Sequence, residues 1–594
     1  MFENNIQDLL ENSLKFFNKN NFVEAEKIYK KILEVDKENA EAYCGLGTIN
    51  AIRKKYNEAI NYLSITIKLQ PQNYFAYNNI GTIFYDLENF NKAIEYYNKA
   101  ISINADYLNS LNMRALAYER LNDLNSAIKD YQIIKKKFPQ DSFIDGIILL
   151  TKAKLCSWGS FEYELNKIKN KIINKKLSWE PLTSLILGDS IEIQSKTLEL
   201  YTKEMAIHFG SNFNYKNKKK EKIKIGYFSS DFRNHAVSFL ISRTLELHNK
   251  KEFIVCGFSL YKNIIKDKMR ERLIKSFDFF FDLDGMTGEE ILNFVRSHEI
   301  DIAIDLNGYT DKNKFNIFFN RVAPIQINFL GYPGSMGFET MDYIIADKIL
   351  IPDNEKKFYK EKIIYMPDTY QPNDDTIEIS KKIFTRAELK LPENSFIFAC
   401  FNSTHKITPK IYQTWINILK KIDNSVLWIL YSNNQVKNNL IKEFKKNSLS
   451  ENRLIFAEKI EHSLHLSRLK VVDLCLDTIP YNGHTTTSDA LRAGLPVVTC
   501  MGNTFAGRVA SSLLNACKMK ELITYDLNEY ENLAIQLALD KEKLNSLKKK
   551  IINNKDSVLF NSKLFTKNLE NAYKNVYEIY NSDLKKRDIY INLK

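Results

Sequence analysis

A 34-residue period near the start of the chain, marked at four successive positions, limits its possible folds more than any other feature. Ala25, Ala59, Ala93 and Ala127 follow one another at that interval, as do Tyr29, Leu63, Tyr97 and Tyr131. Gly47, Gly81 and Ala115 keep the same step, and Pro71 and Pro139 stand two periods apart, each closing a helical segment. Within each unit the apolar residues recur at helical spacing, as in Ala93, Ile94, Tyr97 and Ala100-Ile101. The small residues let two antiparallel helices approach closely, and the aromatic ones fill the gap to the next pair. A unit of this size cannot bury its apolar face alone, so neighbouring units must stack into an array.

This period and pattern resemble the tetratricopeptide repeat, with about three and a half to four copies over residues 5–140. The resemblance implies a right-handed α-solenoid whose concave face holds extended segments, so a protein or peptide acceptor is the expected partner. In some members an inward Asn ladder grips peptide backbone. Here the position two before the repeat glycine is Gly45, then Asn79, then Met113, which leaves one rung. Past Pro139 the helical segments Ser142–Leu155, Phe161–Ile173 and Gln194–Phe209 read as a cap and spacer over residues 141–215. The segment Asn214–Lys220 then breaks all periodicity and reads as a charged linker.

From Lys222 short apolar runs alternate with amphipathic helices. Ile223–Phe228, Phe253–Phe258, Ile300–Leu306, Ile325–Leu330 and Tyr343–Ala346 form one set of strands buried on both faces. Phe396–Phe401, Val426–Tyr431, Val471–Leu476 and Pro496–Cys500 form a second. Continuous apolar strands between helices mean parallel sheets covered on both sides. The two sets predict two Rossmann-like lobes, 222–385 and 386–565, with a C-terminal helix and tail over 566–594. Ligands in such sheets bind beyond the carboxyl ends of the strands. No G-x-G-x-x-G follows a strand and no P-loop is present, which argues against nicotinamide, flavin and ATPase chemistry.

Composition narrows the partners. The formal charge of +13 comes from 85 basic residues scattered over helix surfaces, without a basic stripe interleaved with aromatics, so no nucleic-acid partner is expected. The seven cysteines include no C-x-x-C pair and suit a reducing compartment. No signal peptide and no long apolar run is visible, so a cytoplasmic protein without a membrane span is expected. Oligomeric state is left open by these residues.

The segment Val471–Cys500 carries the chemistry. A buried strand ends at Asp477, a turn holds Asn482-Gly483, and His484-Thr485-Thr486-Thr487 lead into a helix near Ser488-Asp489. Gly483 permits close backbone approach, and the Thr hydroxyls and free amides at a helix start converge on one point. The helix dipole adds partial positive charge there, which makes an anion site suited to a diphosphate.

This stretch resembles the donor-binding motif of the O-linked N-acetylglucosamine transferase family, and the preceding array is that family's other hallmark. The resemblance covers residues 20–570 and implies an α-solenoid joined to a GT-B pair of lobes. It implies an inverting transfer of a sugar, from UDP-N-acetylglucosamine, onto Ser or Thr of target proteins, with a nucleotide sugar as co-substrate and no cofactor. By the same resemblance Thr485 and Thr486 bond the donor diphosphate, Asp489 accepts the ribose hydroxyls, and Gly483 and His484 line the phosphate pocket. His465 stacks on the uracil ring, with Arg468 beside it on the same helix. Lys406, in the strand-to-helix turn Phe401–Pro409, contacts the donor phosphates. A fixed ammonium there stabilises charge that grows on the leaving nucleotide. In the first lobe His235 lies near the sugar and the acceptor hydroxyl and is the first choice as proton acceptor, a donor phosphate oxygen being the alternative. Asp305, at the end of a strand, is a second candidate for proton handling or a loop anchor. Tyr332 and Pro333 belong to a loop that shapes the sugar and acceptor pocket, and Gln326 on the strand before it is expected to reach the same cleft. No Asp-x-Asp or His/Cys cluster with metal spacing appears, so metal-independent transfer is expected. The rival readings are the same fold with another donor, such as GDP-fucose or a different UDP-hexose, and a repeat-protein adaptor without catalysis.

Overall fold

The structure is a computed structural model that describes residues 2–206, 215, 219–261, 267–554 and 557–592. Most of the linker expected at Asn214–Lys220, and the end of the helix expected to reach Phe209, lie outside the described residues. The chain divides into two compact units: residues 1–151 with 285–287, and the remainder.

The first unit is built of antiparallel helix pairs, beginning Phe2–Asn18 and Phe22–Val35 and running to Leu108–Arg120 and Leu124–Lys137. Side-chain caps start most of them: Asn21, Asn39, Asn73, Asn89 and Asp123 each accept a backbone N–H of the first turn. The four repeat alanines are fully buried. The repeat glycines are as tightly held, since a Cβ on Gly47 would lie 2.6 Å from Leu63 and one on Gly81 2.7 Å from Tyr97. The single Asn rung, Asn79, donates to Thr48 Oγ1 of the preceding repeat at 2.8 Å.

The second unit holds two all-parallel sheets. The N-terminal lobe contributes β1 (Ile223–Ser229), β2 (Phe253–Ser259), β3 (Phe279–Asp282), β4 (Ile302–Asp305), β5 (Ile325–Asn328), β6 (Tyr343–Ala346) and β7 (Lys362–Tyr365). The C-terminal lobe contributes β8 (Phe396–Cys400), β9 (Ser425–Leu430), β10 (Leu454–Ala457), β11 (Leu474–Leu476), β12 (Val497–Cys500) and β13 (Ile523–Thr524). A last strand, β14 (Ile589–Tyr590), returns to the first sheet, giving the orders β14-β7-β6-β5-β4-β1-β2-β3 and β10-β9-β8-β11-β12-β13. All nine strands read from apolar runs are present. The long helix Ser562–Asn581 is no free tail: it packs on the N-terminal lobe, with Tyr573 Oη 3.0 Å from Tyr227 Oη and Glu570 3.1 Å from His248 Nδ1.

Arginine pairs help to hold the lobes together. Arg508 of the C-terminal lobe clamps Glu355 of the N-terminal lobe with two bonds of 2.6 and 2.9 Å, a bidentate pair largely shielded from water. The connecting segment is pinned at Asp374, whose carboxylate takes Arg272 at 2.6 Å and Ser242 at 3.1 Å, while its carbonyl takes Arg492 at 2.7 Å. The spacer, which carries the helices Phe161–Ile173, Pro181–Leu187 and Ile191–Ala206, touches both lobes through Pro181 and Lys154. Tyr332 Oη donates to Pro181 O at 3.3 Å, and Thr404 Oγ1 donates to Lys154 O at 2.9 Å.

The loops after β4 and β5 are interlocked at Gly331, where a Cβ would stand 1.8 Å from the Leu306 carbonyl oxygen. That neighbour is backbone and cannot step aside. Gly331→Ala is therefore expected to destabilise the second unit by about 1–3 kcal/mol, the usual cost of overpacking, read as a lowered unfolding temperature.

Candidate functional site

The site is assembled at the carboxyl ends of β8 and β11. β11 delivers Asp477 into the interior, where both carboxylate oxygens are engaged. Oδ1 accepts the Gly483 N–H at 2.6 Å and Asn402 Nδ2 at 3.1 Å, and Oδ2 accepts Thr499 Oγ1 at 2.6 Å. Burial pushes its carboxyl up to about 6, against these hydrogen bonds and the Lys406 charge. Asn402, just past β8, also donates to Thr478 Oγ1 at 2.9 Å and accepts from Thr486 Oγ1. A Cβ at Gly483 would sit 2.5 Å from Thr486 Oγ1 and 2.8 Å from Thr487 Oγ1, so glycine is required for the loop to close on the helix start.

The helix Thr485–Arg492 begins at this loop with His484 as its N-cap residue. His484 does not cap through its side chain; its Nε2–H donates to Ala506 O at 3.2 Å. Burial pushes its pKa well down, so the ring is neutral. The Thr485 side chain makes no cap bond and is partly exposed. Lys406 reaches the same loop, donating to Asn482 O at 2.9 Å with its ammonium 3.7 Å from the centre of the Tyr481 ring. Burial lowers its pKa to about 8, while the Asp477 charge acts in the opposite direction. Thr485, Thr486, Gly483, His484 and Lys406 are thus brought together around one helix N-terminus.

A pocket beside them is lined by Phe401, Asn402, His465, Asp477, Thr486 and Ala490, among others. His465 stands edge-on to Phe401 at 5.0 Å, and its Nδ1 accepts Arg468 Nε–H at 3.0 Å. Burial, then the Arg468 charge, push His465 down to about 4, leaving a neutral flat ring. Arg468 also donates to Glu458 O at 2.8 Å and lies over Phe401 and Trp428. Asp489, one turn into the helix, faces His462, whose Nε2 is 3.1 Å from each carboxylate oxygen.

In the N-terminal lobe His235 opens the helix Ala236–Leu247. Its Nδ1 lies 3.4 Å from Val237 N and 3.6 Å from Asp231 Oδ2, two long contacts that leave the ring lightly held. Burial lowers its pKa, with Asp231 opposing and Arg233 and Lys459 adding to the shift. Lys459 follows β10, so His235 faces the C-terminal lobe. Asp231 is fixed by Arg233 at 2.9 Å and Asn307 at 3.2 Å.

Gln326, Tyr332, Pro333 and Asp305 are all buried. Gln326 does not reach the cleft: it is fully buried, and its amide serves Val322 N, Phe318 O and Thr340 O. Tyr332 and Pro333 are buried, and the Tyr332 hydroxyl turns to Pro181, so their side chains brace the loop instead of presenting an open contact. Asp305 is buried and holds the turn, its Oδ1 accepting the N–H groups of Asn307 at 2.9 Å and Gly308 at 3.0 Å. Gly308 adopts φ +54°, which this turn requires. Through Asn307, Asp305 positions Asp231 and so acts on His235 at one remove. The residues the motifs did not single out are Asn402, Tyr481 and His462. The one available signal was the His462–His465 spacing, which puts both rings on one helix face.

Among the described residues no group of three or more His, Cys, Asp or Glu is placed to hold a metal ion, and no helix is long and apolar enough to cross a membrane.

Two parallel-sheet lobes, with a helix N-terminus and a lysine converging at the strand ends of the second, define a two-lobed GT-B fold that follows a helical-repeat unit in the chain. Glycosyl transferase family 41 matches residues 156–381 and 374–569, and the chain belongs to that family. Tetratricopeptide repeat matches residues 74–107. Over 368 residues the chain is 34% identical to an Arabidopsis thaliana protein named probable UDP-N-acetylglucosamine–peptide N-acetylglucosaminyltransferase SEC, covering 61% of this chain and 38% of that one. A Petunia hybrida protein named for the same activity, SPINDLY, is 30% identical over 376 residues, 61% of this chain and 39% of its own length. The chain thus spans about two fifths of the length of these curated relatives. A solved Thermobaculum terrenum O-GlcNAc transferase, the K341M mutant, shares the fold with a TM-score of 0.61 at 21% identity, over 97% of this chain and 98% of that one.

The loop network yields a test of its own. Asn402→Ala removes two donated hydrogen bonds and orphans Thr486 Oγ1, at about 1–3 kcal/mol for a buried group left unsatisfied. Differential scanning calorimetry is expected to show an unfolding temperature several degrees lower, with Asn402→Asp no better, because a carboxylate there faces Asp477.

Proposed function

We propose that this chain is a cytosolic protein O-glycosyltransferase that moves N-acetylglucosamine from UDP-N-acetylglucosamine onto Ser or Thr side chains, with inversion and without a metal. The observation that carries the reading is the convergence of the Lys406 ammonium with the N-terminus of the helix Thr485–Arg492 at the ends of β8 and β11. The family membership and the printed activities of the relatives support the same donor.

The chemistry follows from charge. As the bond to the sugar breaks, negative charge grows on the leaving diphosphate. The Thr485 and Thr486 amides, the Thr485 hydroxyl, the helix dipole and Lys406 converge on it, so little reorganisation accompanies the transition state. Tyr481 and Asn482 O hold Lys406 in place, and low local polarity strengthens its pull. The neutral His465 ring offers a stacking face to the base, and Asp489 offers acceptors to the ribose. His235, neutral at physiological pH, takes the acceptor hydroxyl proton, and Asp231, 3.6 Å from its Nδ1, stabilises the imidazolium that forms. The tetratricopeptide unit supplies the surface that binds the acceptor protein.

Calorimetric titration without metal is expected to give micromolar binding of UDP and UDP-N-acetylglucosamine and none of GDP-fucose. Lys406→Ala is expected to weaken the uridine nucleotides by roughly 10- to 100-fold, the worth of one charge-assisted hydrogen bond. Absence of any nucleotide binding would leave only a peptide-binding scaffold. Turnover is expected to persist in excess EDTA; a complete loss restored by added metal would sink the metal-independent mechanism. The pH sign is also fixed. Lys406 is charged below about 8 and a diphosphate prefers the charged amine. The Lys406 contribution to UDP-N-acetylglucosamine affinity is therefore full at pH 7 and falls as pH rises through about 8, and Lys406→Met abolishes that fall.

A further inference from the structure

Asp489 is already engaged. The His462 Nε2 atom is equidistant from its two oxygens, 3.1 Å from each, which places the ring nitrogen on the side of the carboxylate between both oxygens. A vicinal diol that bonds one hydroxyl to each oxygen uses that same side. Both Asp489 and His462 are largely shielded from water, with side chains 12% and 19% exposed. The imidazole also packs on Phe239 of the N-terminal lobe, centroid to centroid 4.7 Å, so this one side chain spans the two lobes beside the ribose position.

We propose that His462 is a resident competitor for the ribose seat: it occupies Asp489 in the empty protein, and a nucleotide-sugar donor binds by displacing it. This rests on the donor-site reading given above and adds a proton to it. The pair is strongest when His462 carries its charge, and the surroundings favour that charge. Burial lowers the His462 pKa, but the Asp489 hydrogen bond and charge outweigh it and the ring ends above its ordinary value. Glu461, the N-cap of the same helix, acts with Asp489, while Arg492, one turn beyond Asp489, acts against them, and His465 on the same face is held neutral. From the helix Ala236–Leu247 the facing residue is the apolar Phe239, and Arg243, one turn on, is paired with Glu246 and Asp375. A displaced His462 loses its counter-charge, so its pKa falls and the proton leaves. Donor binding must then release a proton, and affinity must rise with pH through the His462 titration, by roughly tenfold per pH unit at the ceiling for one proton.

The test is titration calorimetry of the full chain with UDP-N-acetylglucosamine, whose diphosphate does not titrate near neutrality. Runs at pH 6.0 and 7.5 in two buffers of different ionisation heat count the protons. Wild type is expected to bind several-fold tighter at the higher pH and to release up to one proton at the lower. His462→Gln is expected to bind at pH 6.0 as tightly as wild type does at pH 7.5, with no proton released. The 2′,3′-dideoxy form of the same donor, which has no hydroxyl to set against Asp489, is expected to bind wild type without proton release and so needs no variant. Weaker binding of His462→Gln at both pH values would make the residue a donor contact and overturn the competition. Tight binding of wild type with no proton release would overturn it as well while leaving the donor reading intact; no binding of any nucleotide would sink that reading instead.

Discussion

The buried carboxylate of Asp477 is the interaction on which the rest of the catalytic unit depends. It ends β11, and it gathers the Gly483 amide, the Asn402 amide and the Thr499 hydroxyl, one from each neighbouring segment of the C-terminal lobe. Its backbone carbonyl takes the Tyr530 hydroxyl at 2.9 Å, and Tyr530 in turn takes the Trp415 indole N–H at 3.2 Å. A carboxylate in that position is costly to ionise, which its raised pKa reflects, and it is tolerable because both oxygens accept hydrogen bonds. What it secures is the path of residues 478–487. Without that path the helix Thr485–Arg492 would not present its N-terminus where Lys406 arrives from the other strand.

The same loop is supported from outside the C-terminal lobe. Thr404 stands one turn before Lys406 and donates to Lys154 O, while Asn439 donates to Leu155 O at 2.9 Å, so the turn that aims the lysine rests on the helical spacer. The spacer's Pro181 carbonyl meets Tyr332 of the other lobe. A short helical segment thus touches the turn that carries Lys406 and the loop beside the Asn307 turn. Pro181 lies within the stretch matched by the transferase family, which begins at residue 156, although by pattern the spacer reads as a cap for the repeat array. The helix Pro181–Leu187, seven residues long, was too brief for periodicity to reveal.

How much could be read from the residues follows from how each signal is encoded. The repeat array is written in a fixed period, and the central strands in runs of Ile, Val and Phe that must be buried on both faces. Both were legible. Strands β3, β7, β10, β13 and β14 were not, because they are short or lie at or near sheet edges where one face is solvated; β13 and β14 have two residues each. In the site, Gly483, His484, Thr485 and Thr486 stand out as one cluster because loop and helix start are contiguous in sequence, whereas Lys406, in a different turn, is suggested only by the family resemblance. Gln326 misled because a polar residue on a strand beside the cleft looks the same in sequence whether it points to a ligand or to backbone. The amide of Gln326 goes to Phe318, Val322 and Thr340, none of which is close on the strand. The His462–Asp489 pair was invisible for a related reason: its partners are 27 residues apart and meet only after two helices have packed.

The histidines around the cleft show how the unit concentrates its charge. His235, His405, His465 and His484 are all pushed down by burial, His405 to about 3 and His465 to about 4, and Lys406 or Arg468 adds to the shift in three of them. At neutral pH these rings donate, accept and stack without carrying charge. The positive potential near the loop is therefore left to Lys406 and the helix N-terminus, the two features that in the proposed reaction face the diphosphate as it gains charge. Additional imidazolium ions would bind the ground-state diphosphate and the departing one alike, and binding that is equal in both does not accelerate the step. His462 departs from this pattern because it faces a carboxylate. Its charge is neutralised on the spot by Asp489 and adds little to the field at the phosphates, so a protonated ring can stand in the cleft without disturbing the selectivity that Lys406 supplies.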